Sequence, residues 1–392
     1  MTTAVIVDAI RTPGGKRNGR LRGWHAVDLA AETLRALAKR NDLDPALVDD
    51  VIMGCVMQVG EQALNVGRNA VLSAGFPESV PATTIDRQCG SSQQAVHFAA
   101  QGVIAGAYDV VIAAGVEHMT HTPMGSSVVR DLGFPFGPTV MGRYAERGGL
   151  VSQGISAEMI ADQWGLSRED LDAFSARSQQ RAVTATAEGR FENEIIPVVV
   201  KDEEGKPTDD VLRKDEGIRP DTTIEVLGNL KPAFKPDGKV TAGNSSQITD
   251  GAAAVLIMSE EKANALGLRP RARVHAFALA GVDPVTMLTG PIPATQKVLE
   301  KAKLQMDDID VVEINEAFAS VVLAWEKELH ADMAKVNVNG GAIALGHPLG
   351  GSGAKLMATL LNELERTGGR YGLQTMCEGG GLANATIIER LG

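Results

Sequence analysis

Apolar runs alternate with amphipathic segments along the first 118 residues. Residues 4–9 and 51–56 have the pattern of strands, and residues 110–114 form a near-continuous apolar run typical of a strand buried on both faces. Residues 27–37 and 65–74 instead carry apolar side chains at helical spacing. The pattern predicts an α/β unit in this part of the chain.

The periodicity is lost after about residue 118, where glycine, proline and charged residues become frequent. Ser167 and Asp170 have the spacing of a capping box, which predicts a helix from there to about residue 189. Residues 201–223 are charged and predict a loop. We therefore expect residues 119–249 to form an inserted loop domain over the first unit, a position suited to substrate recognition.

Strand and helix alternate again from residue 250 onwards. The predicted strands are residues 251–258, 271–280, 309–314 and 372–376. One predicted helix starts near residue 259, and two others cover residues 294–303 and 318–329. Residues 48–53 resemble residues 307–312, and a strand-turn-helix around Cys89 has a counterpart around His347. The pattern predicts a duplicated α/β fold, with an N-terminal half at 1–118 completed by 250–268 and a C-terminal half at 269–392.

Composition and charge narrow the function classes. The 392 residues, 44% hydrophobic and 22% charged, suit two or three packed units and not a disordered or fibrous protein. A net charge of -11 disfavours nucleic acid or an anionic membrane as a partner. No apolar stretch approaches the roughly 20 residues of a membrane span. Three cysteines without paired spacing predict neither disulfides nor a zinc site, so we expect a reduced, cytoplasmic protein without a metal.

Cys89 lies in the run Thr-Thr-Ile-Asp-Arg-Gln-Cys-Gly-Ser-Ser at 83–92, which predicts a strand, a sharp turn and a helix with the thiol at the helix mouth. The unpaired N–H groups of a helix start stabilise a thiolate, so we expect the pKa of Cys89 to fall below the free value of about 8.5. The alternative is a buried, inert thiol. The small residues that follow favour a nucleophile, because they leave space around the sulfur.

Three C-terminal motifs add further candidate groups. Asn315 stands where a buried strand meets a helix, which directs its amide into a crevice, although a helix cap has the same pattern. His347 lies within the glycine-rich stretch 340–353, which gives its imidazole room to act. Cys377 precedes a triple-glycine turn, and two thiols with an imidazole indicate one nucleophile and one proton shuttle. We interpret the other six histidines as structural or surface residues: His25, His97, His118, His121, His275 and His330.

Together these motifs resemble the thiolase family, in particular its 3-ketoacyl-CoA thiolases, and the similarity runs from Val-Asp-Ala-Ile-Arg-Thr-Pro at 7–13 through all three C-terminal motifs. The resemblance implies α/β/α/β/α layers and CoA-dependent cleavage of a 3-ketoacyl-CoA to acyl-CoA and acetyl-CoA, the reverse of a Claisen condensation. It makes Cys89 the acylated nucleophile, His347 its activator and Cys377 the acid/base at the α-carbon. Asn315 would hold a water that forms one oxyanion hole with His347, and the N–H groups of Cys89 and Gly379 would form the second.

The resemblance also implies where CoA binds. CoA would be a co-substrate, no other cofactor is expected, and the family forms homodimers or homotetramers. The implied contacts are Arg219 at the nucleotide, Phe234, Ala242 and Ser246 along the pantetheine, and Met287, Ala317 and Phe318 near the thioester. Phe234 and Met287 also fit an ordinary apolar core.

One departure from the family concerns the acyl pocket. Ser152-Gln153-Gly154 stands where acetoacetyl-specific members carry His-Met-Gly. A glutamine amide turned away from the thioester leaves a larger pocket, which favours a degradative enzyme for medium, branched or steroid-derived chains over a biosynthetic acetoacetyl-CoA thiolase. Three other classes stay open: a ketoacyl synthase, which lacks the second cysteine; a non-catalytic acyl-CoA or lipid-binding protein; and a cysteine hydrolase.

Overall fold

The structure, a computed structural model, describes residues 2–392 apart from the side chain of Arg130. Its strands are β1 (Ala4–Arg11), β2 (Gly15–Lys16), β3 (Asp50–Gly54), β4 (Ala82–Ile85), β5 (Val110–His118), β6 (Val198–Lys201), β7 (Pro207–Leu212), β8 (Thr249–Ser259), β9 (Ala272–Gly281), β10 (Val311–Ile314), β11 (Tyr371–Glu378) and β12 (Leu382–Arg390). Its helices are α1 (Ala26–Arg40), α2 (Val66–Ser73), α3 (Ser91–Ile104), α4 (Pro138–Tyr144), α5 (Gln153–Gln163), α6 (Arg168–Ala187), α7 (Ile224–Gly228), α8 (Glu260–Ala265), α9 (Pro291–Ala302), α10 (Ala319–Leu329), α11 (Ala342–Leu345) and α12 (Ser352–Thr367). Among these residues, no helix combines the length and the apolar character needed to cross a membrane.

The strand order shows that the fold is a duplication. One sheet runs β10-β11-β12-β9-β1-β8-β5-β3-β4, with β2 paired to β8. The two halves meet where β1 pairs with β9. From there, β1-β8 and β8-β5 are antiparallel and β5-β3 is parallel in the N-terminal half. In the C-terminal half, β9-β12 and β12-β11 are antiparallel and β11-β10 is parallel. The junction itself is short and antiparallel, and it uses Val5 and Ile6 of β1. Both halves therefore share a four-strand topology, to which β4 adds one more parallel strand in the N-terminal half, and this confirms the duplication that the sequence predicted.

Helices cover both faces of each half. α1 and α2 pack on the outer face of the N-terminal half, and α9 and α10 on the outer face of the C-terminal half. α3 and α12 contact each other between the two halves, where small side chains such as Ala99 and Ala358 let the helices and strands approach closely. The layers follow the order α/β/α/β/α, as expected from the family resemblance.

The inserted region contains more regular structure than expected. Residues 207–212, predicted as loop, form β7, which pairs with β6 in an antiparallel hairpin. Val198 and Leu212 are the hairpin residues that enter the N-terminal core, and most of the others are exposed. With so few buried side chains the sequence has no alternating pattern, so the loop prediction was wrong here.

Three further elements differ from the prediction. α5 was not predicted, because its buried face contains small residues and Glu158, whose carboxylate accepts backbone N–H groups of Lys239 and Val240 at 2.9 and 2.8 Å. β12 was not predicted either. The segment before His347 is the helical turn α11 and not a strand, so that part of the predicted strand-turn-helix was wrong.

Candidate active site

Cys89 stands in the turn between β4 and α3, as predicted. Gln88 before it has a φ of 48°, which is uncommon for a residue with a Cβ and marks local backbone strain. Asp86 Oδ1 accepts the Gln88 N–H at 2.6 Å, and Ser91 Oγ accepts the Arg87 N–H at 2.9 Å. These bonds hold the strained turn and fix the thiol just before Gly90, the N-cap of α3.

The Cys89 thiol is more deeply buried than the sequence predicted from the small residues that follow it. The apolar side chains that surround it belong to Val56, Met119, Leu349 and Met376. Burial, followed by the carboxylate of Glu378, raises the pKa of Cys89 to about 12. The prediction of a pKa below 8.5 was therefore wrong for the resting site, because the loss of hydration outweighs the partial positive charge of the helix start.

His347 is held through its backbone and its ring. Its N–H lies within hydrogen-bond distance of Gln247 O at 3.2 Å and Thr249 Oγ1 at 3.0 Å. Nδ1 lies 2.6 Å from Ser352 Oγ, and the Ser352 hydroxyl donates to the Pro348 carbonyl at 2.9 Å. Because a carbonyl can only accept, Ser352 must accept from Nδ1–H. The proton is therefore on Nδ1, and the lone pair of Nε2 is available as a base.

Asn315 lies beside that unprotonated nitrogen, which can accept its amide N–H. Its Nδ2 is 3.4 Å from His347 Nε2, and its buried Oδ1 has no hydrogen-bond partner among the described protein groups. Burial, then the Lys355 ammonium, lowers the pKa of His347 to about 3, so the imidazole is neutral at physiological pH. The N-cap of α10 is Phe318, so the interpretation of Asn315 as a helix cap was wrong.

The second thiol is a neighbour of the first. Cys377 is buried near the end of β11, and its pKa is raised by burial and then by the charge of Cys89. Next to it, burial raises the pKa of Glu378 to about 8 against the opposing effect of Arg87. Neither carboxyl oxygen of Glu378 has a hydrogen-bond partner among the described residues. The thiols and this carboxyl form one poorly hydrated group in which a charge on any member is costly.

Gly379 opens the turn after β11. A Cβ there would lie 3.0 Å from Gln88 Oε1 and 3.3 Å from Gln153 Nε2, so a larger residue would crowd both amides. The Gln153 amide thus faces this turn and does not turn away from it. In the turn that holds Cys89, a Cβ on Gly90 would collide with the carboxyl group of Glu378, the last residue of β11. Glycine at these positions lets the two turns approach each other.

A cavity of about 1220 Å³ opens from this group to the surface. Cys89 and Gly379 lie in its lining, and Ser152 and Gln153 form part of one side. Most of its wall comes from the segment 124–151, which we call the cavity segment. Its apolar side chains in the lining include Met124, Val128, Phe134, Phe136, Val140 and Tyr144. The inserted region therefore provides an apolar chamber above the nucleophile.

Four of the seven residues assigned to CoA contact one another. Phe234 and Phe318 pack edge to face with ring centroids 6.0 Å apart, and the Ser246 N–H donates to the Ala317 carbonyl at 2.9 Å. They lie beside the strand end that carries Asn315. The structure thus brings these four together next to the catalytic candidates.

The other three are placed differently. Met287 lines the cavity, with its side chain buried. Ala242 and Arg219 are exposed, and the Arg219 backbone N–H donates to Gln179 Oε1 at 2.8 Å. The assigned CoA residues therefore include both an inner position at the cavity and positions at the surface.

Sequence reasoning did not identify Ser352, Lys355 or Glu378 as parts of the site. The buried Lys355 ammonium donates to the Gly346 carbonyl at 3.0 Å and so supports the backbone just before His347. The sequence did contain signals for these roles. Ser352 stands at a predicted helix start five residues after His347, and Lys355 and Glu378 are single charged residues within otherwise apolar elements. Such residues are buried only when paired or functional.

Two family models together cover nearly all of the chain. Residues 4–261 match the thiolase N-terminal domain and residues 268–390 the thiolase C-terminal domain. Over 397 residues the chain is 53% identical to the steroid 3-ketoacyl-CoA thiolase FadA6 of Mycobacterium tuberculosis, covering 100% of this chain and 95% of that protein. It is 48% identical over 396 residues to a 3-ketoacyl-CoA thiolase of Aliivibrio fischeri, covering 100% of both. The crystal structure of the Bacillus anthracis acetyl-CoA acetyltransferase matches with a TM-score of 0.90 at 40% identity, covering 100% of this chain and 99% of that one. With its duplicated layers and both matching domains, the chain belongs to the thiolase family of acyltransferases.

Proposed function

We propose that the protein is a degradative 3-ketoacyl-CoA thiolase, which cleaves its substrate with CoA to acyl-CoA and acetyl-CoA through an acyl group on Cys89. The observation that carries this proposal is the pair of neighbouring thiols, Cys89 and Cys377, below an apolar cavity of about 1220 Å³. His347, whose Nε2 is unprotonated and only weakly bonded by the Asn315 amide at 3.4 Å, supplies the base that such a pair needs. One thiol serves as nucleophile and the other as acid/base.

In the first step, Cys89 Sγ attacks the C3 carbonyl of the 3-ketoacyl-CoA while its proton passes to His347 Nε2. Because the pKa of Cys89 is about 12 and that of His347 about 3, a preformed ion pair is unfavourable, and the proton moves together with the attack. The C2–C3 bond then breaks, and its electron pair remains on C2 as the enolate of acetyl-CoA. Cys377 donates its thiol proton to C2, and acetyl-CoA leaves.

In the second step, a CoA thiol gives its proton to the Cys377 thiolate and attacks the acyl carbon on Cys89. The bond between Cys89 and the acyl carbon breaks, and the sulfur takes back the proton that His347 holds. Both thiols and the imidazole return to their neutral forms, which are the stable forms in a poorly hydrated site.

Two groups of donors would stabilise the oxyanions of these steps. Asn315 would hold a water through its Oδ1, which has no protein partner among the described residues. That water and His347 would together donate to the oxyanion that forms at the acyl-enzyme stage. The N–H groups of Cys89 and Gly379 would form the second hole, which the close approach of their two turns supports.

We further propose how the molecule is organised around this activity. Phe234, Ala242 and Ser246 would line the pantetheine path, Met287, Ala317 and Phe318 would lie near the thioester, and Arg219 would meet the nucleotide. β4 is an edge strand and Leu64 near it is 91% exposed, which supports pairing with a second copy in a homodimer or homotetramer. Three free cysteines fit a reducing, cytoplasmic setting, with CoA as co-substrate and no other cofactor. The division into 1–118 with 250–268, 119–249 and 269–392 stays a prediction.

The alternative is a biosynthetic acetoacetyl-CoA thiolase. Its support is the 40% identical acetyl-CoA acetyltransferase structure, whereas the relatives at 53% and 48% identity carry the names steroid 3-ketoacyl-CoA thiolase and 3-ketoacyl-CoA thiolase. The cavity volume of about 1220 Å³ also favours acyl groups larger than acetyl.

The test is product analysis with and without CoA. Purified protein is mixed with a medium-chain 3-ketoacyl-CoA, and we expect CoA-dependent formation of acetyl-CoA and the shortened acyl-CoA in equal amounts. Free acid as the main product would identify a cysteine hydrolase. Binding without turnover or acyl-enzyme would identify a non-catalytic binding protein.

A further inference from the structure

The wall of the acyl chamber contains an arginine that the thiol chemistry does not use. Among the described residues, the charged side chains that line the cavity are Asp86, Arg87 and Arg143. Asp86 accepts the Gln88 N–H at 2.6 Å and so holds the strained turn. Arg87 lies near the carboxyl of Glu378, whose pKa is raised by burial and lowered by the Arg87 charge. Arg143 differs from both, because it belongs to α4 in the cavity segment.

The side chain of Arg143 lies on the face of α4 that is turned towards the chamber. Val140, Arg143 and Tyr144 all line the cavity, and they have the i, i+3, i+4 spacing of one helical face. Met141 and Gly142, on other sides of the helix, do not line it. The helix therefore presents Arg143 to the space that the acyl group enters.

The guanidinium of Arg143 is stacked on a ring and is not paired with an acid. Its Cζ lies over the Tyr144 ring, 5.6 Å from the centroid, and no carboxylate of the described residues forms an ion pair with it. Arg147, further along the same segment, is instead paired with Asp283. Stacking uses the face of a guanidinium and leaves the N–H groups at its edge available. The chamber therefore contains a fork of donors that can bind a ligand.

We propose that Arg143 binds a second carboxylate at the distal end of the acyl group. The substrate class is then a 3-ketoacyl-CoA made from a dicarboxylic acid, with an apolar body between the reacting carbonyl and the distal acid. This inference rests on the proposed thiolase function and specifies the acyl group for it. The flat fork of a guanidinium matches a carboxylate with two parallel N–H···O bonds. The apolar wall of the chamber strengthens such bonds, because it lowers the local dielectric constant.

The charge of the chain explains why a dedicated cation would be needed. With a net charge of -11, the protein repels anions at long range, so a distal carboxylate needs a local positive charge in the chamber. A methyl group at the same place would instead displace water from the guanidinium without replacing its hydrogen bonds, which is unfavourable. The apolar wall therefore selects the body of the acyl group, and Arg143 selects its end.

Paired substrates of increasing chain length test the proposal. Each pair has the same number of carbons, and one member ends in a carboxylate whereas the other ends in a methyl group, as in 3-ketodecanedioyl-CoA and 3-ketodecanoyl-CoA. At the length that reaches Arg143, we expect kcat/KM of the wild type to be at least about tenfold higher for the acid, the size typical of a hydrogen bond to a charged group. Arg143→Leu should remove this preference, and Arg143→Lys, which keeps the charge without the fork, should keep part of it.

Arg177→Leu is the matched control. Arg177 is also an exposed arginine with its guanidinium over an aromatic ring, that of Phe174 at 5.3 Å, but it does not line the cavity. It should keep the wild-type preference. Unchanged cleavage of the methyl-ended substrates by Arg143→Leu will show that this variant is folded.

The possible failures have different signatures. If the methyl-ended member is cleaved at least as well as the acid at every length, the thiolase function stands and the inference about the distal acid is overturned. If neither member is cleaved with CoA at any length, the proposed function fails and the inference fails with it. If Arg143→Leu lowers kcat/KM by the same factor for both members and for acetoacetyl-CoA, Arg143 binds a phosphate of CoA and not the acyl end, which also overturns the inference.

Discussion

Ser352 Oγ lies 2.6 Å from His347 Nδ1, and this contact decides which ring nitrogen carries the proton. The serine hydroxyl is already committed to the Pro348 carbonyl, so it can only accept from the ring. The base at Nε2 therefore depends on a residue that does not touch the substrate. Ser352 is a positioning residue in the sense that it acts through His347.

Replacing Ser352 with alanine should slow acylation of Cys89. A buried donor left unsatisfied costs about 1–3 kcal/mol, which corresponds to about 5- to 150-fold in rate if the cost falls on the transition state. Stopped-flow acylation by a 3-ketoacyl-CoA measures the effect. Ser175→Ala is the matched control, because Ser175 is also buried and its hydroxyl bonds a carbonyl in its own helix at 2.7 Å. Equal rates for wild type and Ser352→Ala would show that the tautomer is fixed by something else.

Cys89→Ala should abolish both covalent labelling by substrate and turnover while the fold survives. Removing one sulfur from a side chain at the edge of a cavity leaves the surrounding helices and strands in place. Intact-protein mass spectrometry after incubation with a 3-ketoacyl-CoA measures the added acyl mass. Cys55→Ala is the control, because Cys55 is equally buried but lies in the N-terminal core and should not affect labelling. Acylation that persists in Cys89→Ala would contradict the assignment.

The reactivity of Cys89 in the free enzyme should keep rising with pH. Its pKa is raised to about 12, so the thiolate fraction grows about tenfold per pH unit below that value and iodoacetamide labelling should not level off near pH 8. Glu378→Gln removes a negative charge that raises this pKa, so the profile should shift to lower pH. A plateau below pH 8 in the wild type would instead show that the helix start stabilises the thiolate in the resting enzyme.

Several parts of the structure that depend on residues close together in the sequence were predicted correctly. The turn at Cys89, the capping box at Ser167 and most central strands follow from neighbouring residues, and the duplication followed from matching order in the two halves. The pKa of Cys89 did not follow, because it depends on Glu378 and on apolar side chains that are distant in sequence. The roles of Ser352 and Lys355 were missed although both lie close to His347 in the sequence, because their contacts with the His347 ring and the Gly346 carbonyl depend on how the intervening turn folds back.

Cys377→Ala should separate the two halves of the reaction. A simple acyl-CoA can acylate Cys89 without any proton transfer at carbon, so slow labelling should remain. Cleavage of the carbon–carbon bond needs that transfer, and loss of a general acid/base costs about 10²- to 10⁴-fold. Parallel measurement of acylation by acyl-CoA and of 3-ketoacyl-CoA cleavage checks the split. Undiminished cleavage would remove Cys377 from the mechanism.

The cavity predicts a preference for acyl groups larger than acetyl. Its volume of about 1220 Å³ and its wall of apolar side chains leave most of the chamber unfilled by a short acyl group. Each further CH₂ that is buried stabilises the bound state by about 0.8 kcal/mol, which is about fourfold in kcat/KM when the gain is kept in the transition state. We therefore expect kcat/KM to rise from acetoacetyl-CoA to medium-chain and bulky 3-ketoacyl-CoAs.

Gln153→Met tests which residue sets that preference. The Gln153 amide faces the turn at Gly379 at the side of the cavity. A flexible methionine there would fill space next to the thioester and would remove the polar amide. Long and bulky substrates should then lose more kcat/KM than acetoacetyl-CoA does. Gln163→Met, at the exposed end of the same helix, should leave the series unchanged. If acetoacetyl-CoA is the best substrate of the unmodified protein, the degradative proposal fails, and the Ser152-Gln153 departure has no part in substrate choice.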